Sequence, residues 1–384
     1  MLAVLVGALW LNGCSSLPSQ GPSAAKVESD ATSQAGERKY LITDLDDRTV
    51  AVLERRAPPS FRSRFGDYRP APNQVIGVGD AVNVTIWEAA SGGLFSSQAI
   101  NGITTGSHSA VIPDQIVARD GSITVPYAGR IRVSGLTPPQ VEEAIVKNLS
   151  GKAIEPQALV TVSRNISNTV TVSGEVTNGA RISLTPRGDR LLDVVATAGG
   201  IKAPVHETFI SLTRDNQTAT VPYQALLARP QENIFARPGD MLTLVREPQT
   251  FSAFGSTGRN SVVPFDAIGI SLEEAVAKVG GLIDSQADAQ GVFVLRAEPA
   301  SIARDLDPSY PIEPGQQIVN VVYRANMKDT KTYFLARRFA LRNKDIVYVA
   351  ASPINELQKA LSVVGAAFQP AATVAGFCSN VKGC

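Results

Sequence analysis

Cys14 is the residue of this sequence whose surroundings most clearly indicate chemistry. Residues 2–11 before it are apolar, Gly13 is small, and the stretch that begins at Ser15 is polar and contains proline. An apolar run of about 10 residues has half the length of a membrane-spanning helix and matches the centre of a secretory signal peptide. We therefore predict a signal peptide over residues 1–13 that is removed, so that Cys14 becomes the new N-terminal residue.

The tetrapeptide LNGC at residues 11–14 resembles the lipobox of bacterial lipoproteins, in which the cysteine thiol is lipidated. The resemblance implies lipidation of Cys14, and Ser15 at the next position is similar to the outer-membrane sorting rule. Asn12 departs from the usual pattern, and no Lys or Arg precedes the apolar run, which predicts that Met1 lies inside a longer signal. The alternative is a buried cysteine on an N-terminal strand or helix.

The other candidates for chemistry form no catalytic or metal-binding pattern. His108 and His206 lie outside any HExxH motif, and the sequence has no Gly-x-Ser-x-Gly elbow or P-loop. Cys378 and Cys384 are compatible with a disulfide in an oxidising compartment and equally with two free thiols. We therefore predict a protein that is not an enzyme and that binds no metal and no cofactor.

Composition restricts the class of protein further. A chain of 384 residues has room for two or three domains, each with its own core. The formal net charge is +1, so no global field attracts nucleic acid, and we predict no nucleic-acid partner. The sequence contains 31 glycines and 24 prolines, which indicate many turns and short strands. This composition favours an α+β multidomain fold over an all-helical one.

Residues 73–165 have the pattern of an α+β domain, and residues 14–72 before them are predicted to be a tether and linker. Within residues 14–72, ordered sequence is expected to begin at the apolar triplet 40–42. Val82, Val84 and Ile86 alternate along a predicted strand. Thr137 is a predicted helix cap, because two prolines and an apolar helical stripe follow it.

Residues 166–250 and 251–352 are two copies of an internal repeat. The landmarks recur at a constant offset of 81 residues: Gly174 and Gly255, Leu191 and Leu272, and the pairs Gly199-Gly200 and Gly280-Gly281. The pattern of each copy predicts a strand, a loop, a helix that ends at the Gly-Gly pair, and a further strand. Similar strand starts occur in GVGDAV, RPGDML and RNKDIV. Two repeats are too few for a solenoid, so we expect two small domains.

Residues 353–377 are predicted to form an amphipathic helix, followed by a tail at 378–384. One face carries apolar residues: Ile354, Leu357, Leu361, Val364, Phe368, Ala371 and Ala375. The opposite face carries polar residues: Asn355, Gln358, Ser362 and Gln369. The uncharged stretch 360–377 would be about 27 Å long, close to the thickness of a thin membrane. The residues alone favour a helix docked on a soluble domain, and a ring of copies around a water-filled lumen is the alternative.

Three parts of the sequence carry a resemblance to a known family. DGSITVPYAGRIRVSGLTPPQVEEAI, within residues 73–165, is similar to the polysaccharide export domain of bacterial outer-membrane exporters. The repeats resemble the β-grasp-like SLBB domains that follow it in the Wza-like family. The lipobox with LPSQGPS resembles the capsule-export branch of BexD, CtrA and VexA. The similarity covers roughly four fifths of the chain and keeps the domain order.

The resemblance implies a lipid-anchored outer-membrane translocon for capsular or related exopolysaccharide. In this family the C-terminal helices of eight subunits form an α-helical barrel, which would place the apolar face towards lipid and the polar face towards the lumen. The implied partners are an inner-membrane polysaccharide co-polymerase or ABC-transporter export complex, the polysaccharide, and outer-membrane lipid. Most of the chain would be periplasmic, with its C-terminus at the cell surface.

Two other functions stay open from the sequence. A periplasmic adaptor lipoprotein would bind polysaccharide or an export partner without spanning the membrane. A glycan-processing enzyme would need a pair of carboxylates that converge in a cleft. Trp87, Phe95, Tyr127 and Tyr223 could stack on sugars, but we predict core packing for each.

Overall fold

The structure is a computed structural model that describes residues 21–31, 38–56, 58–66, 75–89, 94 and 108–354. The chain divides into two compact units. One unit comprises Met1–Pro58 and Pro248–Cys384, and the other comprises Pro59–Glu247.

The Pro59–Glu247 unit contains a three-stranded antiparallel sheet with the order β3-β2-β6, a separate hairpin and a helix. These elements are β2 (Ala81–Glu88), β3 (His108–Ile116), β4 (Ser122–Val125), β5 (Gly129–Arg132), α4 (Pro138–Leu149) and β6 (Gln157–Arg164). Val82, Val84 and Ile86 are fully buried, as their alternation predicts, and share a core with Val141 and Ile145 of α4. The uncovered face of the sheet carries the intervening residues of β2.

Helix α4 begins where the sequence predicts. The backbone N–H of Thr137 donates to Oε1 of Gln140 at 2.9 Å, which satisfies one donor at the helix start. Prolines follow at the first helical positions, where a backbone N–H has no partner within the helix.

The first repeat forms a five-stranded sheet with the order β10-β9-β11-β7-β8, in which β7 and β11 are parallel. The elements that belong to it are α3 (Phe61–Phe65), β7 (Thr169–Gly174), β8 (Ala180–Ser183), α5 (Leu191–Thr197), a 3₁₀ turn (Val205–Glu207), β9 (Thr208–Arg214), β10 (Gln217–Pro222), α6 (Tyr223–Ala228) and β11 (Met241–Arg246). Phe61 of α3 is fully buried in the core of this sheet, with Leu191 of α5 and Leu226 of α6. A short segment that precedes the three-stranded domain in the sequence therefore completes the core of the first repeat.

The second repeat and the N-terminal strand β1 (Leu41–Asp44) form a six-stranded sheet with the order β1-β16-β15-β18-β12-β13. Its elements are β12 (Gln249–Gly255), β13 (Ser261–Phe265), β14 (Ile270–Ser271), α7 (Leu272–Lys278), β15 (Ala287–Pro299), α8 (Ala300–Leu306), β16 (Ile318–Ala325), α9 (Thr330–Arg338), β17 (Ala340–Leu341) and β18 (Ile346–Ala351). Without β1, the strand order matches that of the first repeat, with β12 and β18 parallel. The internal duplication predicted from the landmarks is therefore present in the strand order.

The N-terminal segment is folded where the sequence predicts a tether. It contains α1 (Ala24–Asp30), β1 (Leu41–Asp44) and α2 (Asp47–Glu54). Val27 of α1 packs with Phe293, Val322 and Tyr348 on one face of the second-repeat sheet, and Tyr348 donates its hydroxyl to the carbonyl of Pro22 at 2.6 Å. The tether interpretation is therefore wrong for α1, which is held by burial of Val27 and by the bond to Pro22 although its sequence lacks apolar periodicity.

Two glycines at equivalent positions of the repeats explain part of the sequence pattern. Gly174 and Gly255 have φ of +91° and +94°, and a Cβ on them would lie 1.9 Å from the carbonyl oxygen of Leu244 and 2.0 Å from that of Val349. The parallel strands β7 and β11, and likewise β12 and β18, approach too closely for any side chain at these points. Glycine is therefore required by both backbone conformation and space.

The Gly-Gly pairs at the ends of α5 and α7 also have left-handed backbone, with φ between +75° and +85°. At Gly281 the space around a new Cβ is open. We therefore expect Gly281→Ala to lower the free energy of unfolding by about 1 kcal/mol, from backbone strain alone. Gly255→Ala adds the clash with Val349 and should cost roughly 3 kcal/mol. Urea denaturation of both variants tests the difference, and equal losses would contradict it.

Candidate functional site

Three buried aspartates start strands in the three folded domains, at the similar sequences noted above. They are Asp80 before β2, Asp240 before β11 and Asp345 before β18. Each carboxylate accepts a hydrogen bond at 2.8 Å from the backbone N–H three residues earlier, at Gly77, Arg237 and Arg342 respectively. The shared geometry explains why these sequences recur, since each aspartate closes the turn before its strand.

In the two repeats this aspartate also pairs with a buried arginine. Arg214 donates to Asp240 through Nε at 2.8 Å and Nη2 at 2.7 Å. Arg296 donates to Asp345 through Nε at 2.9 Å and Nη2 at 2.6 Å. Such two-point contacts between guanidinium and carboxylate are strong and geometrically specific. The pair joins β9 to β11 in the first repeat and β15 to β18 in the second.

The second repeat adds a buried glutamate to its arginine–aspartate pair. The side chain of Glu298 is fully buried and accepts from Nη1 of Arg296 at 3.3 Å, from Nη1 of Arg342 at 3.1 Å and from the hydroxyl of Tyr323 at 3.1 Å. Arg56, just after α2, reaches the same carboxylate at 3.4 Å. The N-terminal segment is thereby joined to the charge cluster inside the second repeat.

The titration behaviour of the cluster follows from its burial. Burial lowers the pKa of Arg296, but the hydrogen bonds and charge of Asp345 outweigh that effect, so the pKa is raised and the guanidinium stays charged. Burial raises the pKa of Asp345, and Arg296 offsets part of the rise. Burial, followed by the charge of Glu298, raises the pKa of the Tyr323 phenol, which stays neutral and donates. The cluster is therefore a structural ion network.

Further ion pairs join the N-terminal segment to the second repeat. They are Asp44 with Arg324 at 2.5 Å, Glu28 with Arg324, Arg38 with Asp307 at 2.7 Å, Asp47 with Lys331 at 2.6 Å, and Glu54 with Arg338 at 2.7 Å. Each exposed pair contributes little alone. Together with the parallel pairing of β1 and β16, they fix the segment along one edge of the sheet.

We expect acid to loosen this edge selectively. Hydrogen bonds from Lys331 and Arg338 lower the pKa of Asp47 and of Glu54, respectively, below their ordinary values of 3.8 and 4.5. Because the folded-state values are depressed, the stabilisation is present above the ordinary values and is lost as pH falls through the folded-state values. Hydrogen exchange between pH 5 and pH 3 should show α2 losing protection before β15. Simultaneous loss of protection in both elements would contradict this.

Both ends of the described chain leave the Met1–Pro58 and Pro248–Cys384 unit beside one cavity. The cavity has a volume of about 720 Å³, and its lining includes Ser23, just before α1, and Pro353, just after β18. Polar side chains such as Asp288 and Arg324 line it as well. Whatever precedes Ser23 and follows Pro353 therefore starts from the same side of this unit.

Most of the sequence-predicted site residues lie outside the described residues. These are Cys14, Cys378, Cys384 and every predicted helix residue after Ile354. Ile354 ends the described chain with 67% of its surface exposed. The longest helix of the described ranges is α4, with 12 residues, and none there is long and apolar enough to cross a membrane. The lipidation, the disulfide and the helical barrel stay predictions.

The described residues also test the candidates for sugar stacking. Tyr223 is buried in the core of the first repeat, as predicted. Tyr127 is 56% exposed, and Trp87 is only half-buried, so core packing is the wrong prediction for Tyr127 and incomplete for Trp87. No group of His, Cys, Asp and Glu suited to a metal ion occurs within the described ranges.

Family models match the three folded domains in order. The model described as "Polysaccharide biosynthesis/export protein" matches residues 69–163. Models described as "SLBB domain" match residues 169–222 and 249–349. These matches agree with the duplicated sheets and with the separate three-stranded domain before them.

Similar proteins extend the match over nearly the whole chain. The chain is 38% identical over 387 residues to the capsule polysaccharide export outer membrane protein CtrA of Neisseria meningitidis serogroup B, covering 98% of this chain and 96% of that protein. The chain belongs to the capsule polysaccharide export family. Another member, BexD of Haemophilus influenzae, is 36% identical over 365 residues, covering 93% of this chain and 92% of that protein.

More distant relatives also align with most of this chain. The Vi polysaccharide export protein VexA/TviF of Salmonella typhi is 27% identical over 283 residues, covering 73% of this chain and 75% of that protein. The resemblance to the branch of BexD, CtrA and VexA is therefore confirmed. These relatives are named for polysaccharide export, which fits a role without enzyme activity.

Sequence reasoning missed the two features that organise the second repeat in this family member. One is the cluster around Glu298, and the other is the addition of β1 to β16. The cluster combines three distant parts of the sequence, at Arg56, residues 296–298 and residues 342–345, and only the fold brings them together. The apolar triplet at residues 40–42, where order was expected to begin, was the one local signal for β1.

Proposed function

We propose that the protein is the outer-membrane translocon of a capsule export machine, anchored by lipid at Cys14. Several copies form a ring around a hydrated passage, with eight as the number implied by family resemblance. The helix at 353–377 of each copy carries the passage through the lipid. Most of each chain lies in the periplasm, and the C-terminus reaches the cell surface.

The observation that carries the proposal is the match to capsule export proteins over nearly the full length of the chain. The shared cavity beside Ser23 and Pro353 supports the membrane arrangement. Eight residues lie between Cys14 and Ser23, so the two can be at most about 32 Å apart. A lipid on Cys14 and a membrane helix after Pro353 can therefore meet one membrane without unfolding the domain.

In this proposal the protein supplies a path and no chemical step. Capsular polysaccharide enters at the periplasmic end and leaves at the surface. Energy comes from an inner-membrane partner, a polysaccharide co-polymerase or an ABC-transporter export complex. A non-spanning periplasmic adaptor lipoprotein is the second candidate, and it requires no ring with a lumen.

The test of the ring is imaging of single particles extracted from the outer membrane in detergent. The translocon predicts closed rings with a central passage. Monomers, or assemblies without a passage, would favour the adaptor.

The lipid anchor has its own test. Cys14→Ser should abolish incorporation of a radiolabelled fatty acid and leave the protein in the soluble periplasmic fraction or mis-sorted, because the acyl chains supply about 0.8 kcal/mol of membrane affinity per buried methylene. Cys378→Ser is the matched control and should label as wild type. Labelling that persists in Cys14→Ser would contradict lipidation at this residue.

A further inference from the structure

A cleft lies at the end of β2, in the domain matched by the polysaccharide export model. Its volume is about 460 Å³, and Trp87, Glu88, Ala89, Glu155 and Gln157 line it. Trp87 lies directly opposite Gln157 on the neighbouring strand β6. Since Val84 and Ile86 point into the core, Trp87 faces the uncovered side of the sheet at this point.

The loop that completes the cleft is held in a fixed position. Ile154 donates its backbone N–H to Oε1 of the buried Glu88 at 3.3 Å, and its carbonyl accepts from the backbone N–H of Ala89 at 3.3 Å. The next residue, Glu155, is exposed and has φ of +43°. A left-handed conformation in a residue other than glycine is strained, and such strain clusters at ligand sites.

The side chains around the cleft offer both kinds of contact that a sugar ring needs. The indole of Trp87 has a flat apolar face and one N–H donor. The carboxylate of Glu155 accepts hydrogen bonds, and the amide of Gln157 both donates and accepts. The cleft has the size of ordinary small-molecule sites, which combine an apolar wall with a few polar groups.

We propose that this cleft binds one sugar ring of the exported polysaccharide, an inference that rests on the proposed function. The C–H face of the ring packs on Trp87, and its hydroxyl groups bond to Glu155 and Gln157. Because the exposed Glu155 brings a carboxylate to the cleft, the site favours neutral or N-acetylated sugars over sugars that carry a carboxylate.

Trp87 is also a built-in reporter of binding. The sequence contains two tryptophans, and the other one, Trp10, lies in the predicted signal peptide. Titrations of the detergent-extracted full chain with maltotetraose and with chitotetraose should give a saturable change in tryptophan fluorescence for at least one of them. Tetragalacturonate should bind at least tenfold more weakly. Absence of a saturable change with both neutral probes, or tighter binding of tetragalacturonate, would overturn the proposal.

Variants separate binding from folding. Calorimetric affinity for the neutral probe should fall at least tenfold in Trp87→Leu and about fivefold in Glu155→Gly. Because glycine accepts the backbone conformation of residue 155, Glu155→Gly should melt at or above the wild-type temperature. Phe334→Leu removes an aromatic side chain that is 69% exposed in the other unit and should bind as wild type. Unchanged affinity in Trp87→Leu would overturn the proposal.

Failure of the translocon and failure of the sugar site give different experimental results. Wild-type protein in cells that lack their own export protein should restore surface capsule, and failure to do so would refute the translocon whatever the titration shows. Restored capsule without saturable sugar binding would overturn the sugar site alone. If Trp87→Leu changes only the subunit number in light scattering, the cleft is a contact between copies, and the sugar site is likewise overturned.

Discussion

Val364→Arg is expected to abolish surface capsule. Val364 lies on the apolar face of the predicted helix at 353–377, near its middle. An arginine at the centre of a membrane helix costs about 2.5–3.5 kcal/mol on insertion scales, and every subunit of the ring would carry that cost. Insertion of the assembled helices should therefore fail, which is measured as loss of surface labelling of an epitope tag placed after Cys384 and as loss of capsule on cells.

Ser362→Arg is the matched control on the opposite face of the same helix. Water in the lumen would hydrate this arginine, so the variant should stay membrane-inserted while export falls through a narrowed or recharged passage. If both variants insert and export as wild type, the helix does not cross the membrane. If Ser362→Arg fails to insert and Val364→Arg inserts, the two faces of the helix have been assigned wrongly.

The second large effect concerns the charge cluster of the second repeat. Arg296→Met should lower the free energy of unfolding by about 3–5 kcal/mol, because it leaves the buried carboxylates of Asp345 and Glu298 without their shared partner. Domains of this size are stable by only about 5–15 kcal/mol, so the variant should also be less abundant in cells. Urea denaturation followed by circular dichroism measures the loss.

Arg338→Met is the control for this prediction within the same unit. Arg338 pairs with Glu54, and both side chains are about half exposed. Removing such a surface pair should cost much less than removing Arg296. Equal losses in Arg296→Met and Arg338→Met would show that burial of the cluster does not set its contribution.

The sequence predicted those parts of the fold that depend on local rules. Val82, Val84 and Ile86 alternate because one face of β2 is buried, and the Gly-Gly pairs end helices because the backbone turns left-handed there. Gly174 and Gly255 could be aligned from the sequence. Glycine is required at both positions because a carbonyl oxygen of the neighbouring strand lies about 2 Å from where a Cβ would be. That is a tertiary contact, which no local pattern reveals.

The parts that escaped prediction are set by contacts between distant residues. Helix α1 has 7 residues, too few to be stable alone, and only Val27 of this helix is buried. Its docking on the second-repeat sheet decides its structure. Likewise, the alternation of β2 places Trp87 on the opposite face from the core residues. The sequence does not show that Glu155 and Gln157 line a cleft together with Trp87.

The most direct measurement of the central claim is the accessibility of an epitope tag placed after Cys384. The translocon predicts that antibody labels this tag on intact cells. A tag inserted at the exposed turn of Asp215 and Asn216, between β9 and β10, should be labelled only after the outer membrane is permeabilised. A terminal tag that also stays hidden until permeabilisation would contradict a helix that crosses the outer membrane and would favour the periplasmic adaptor.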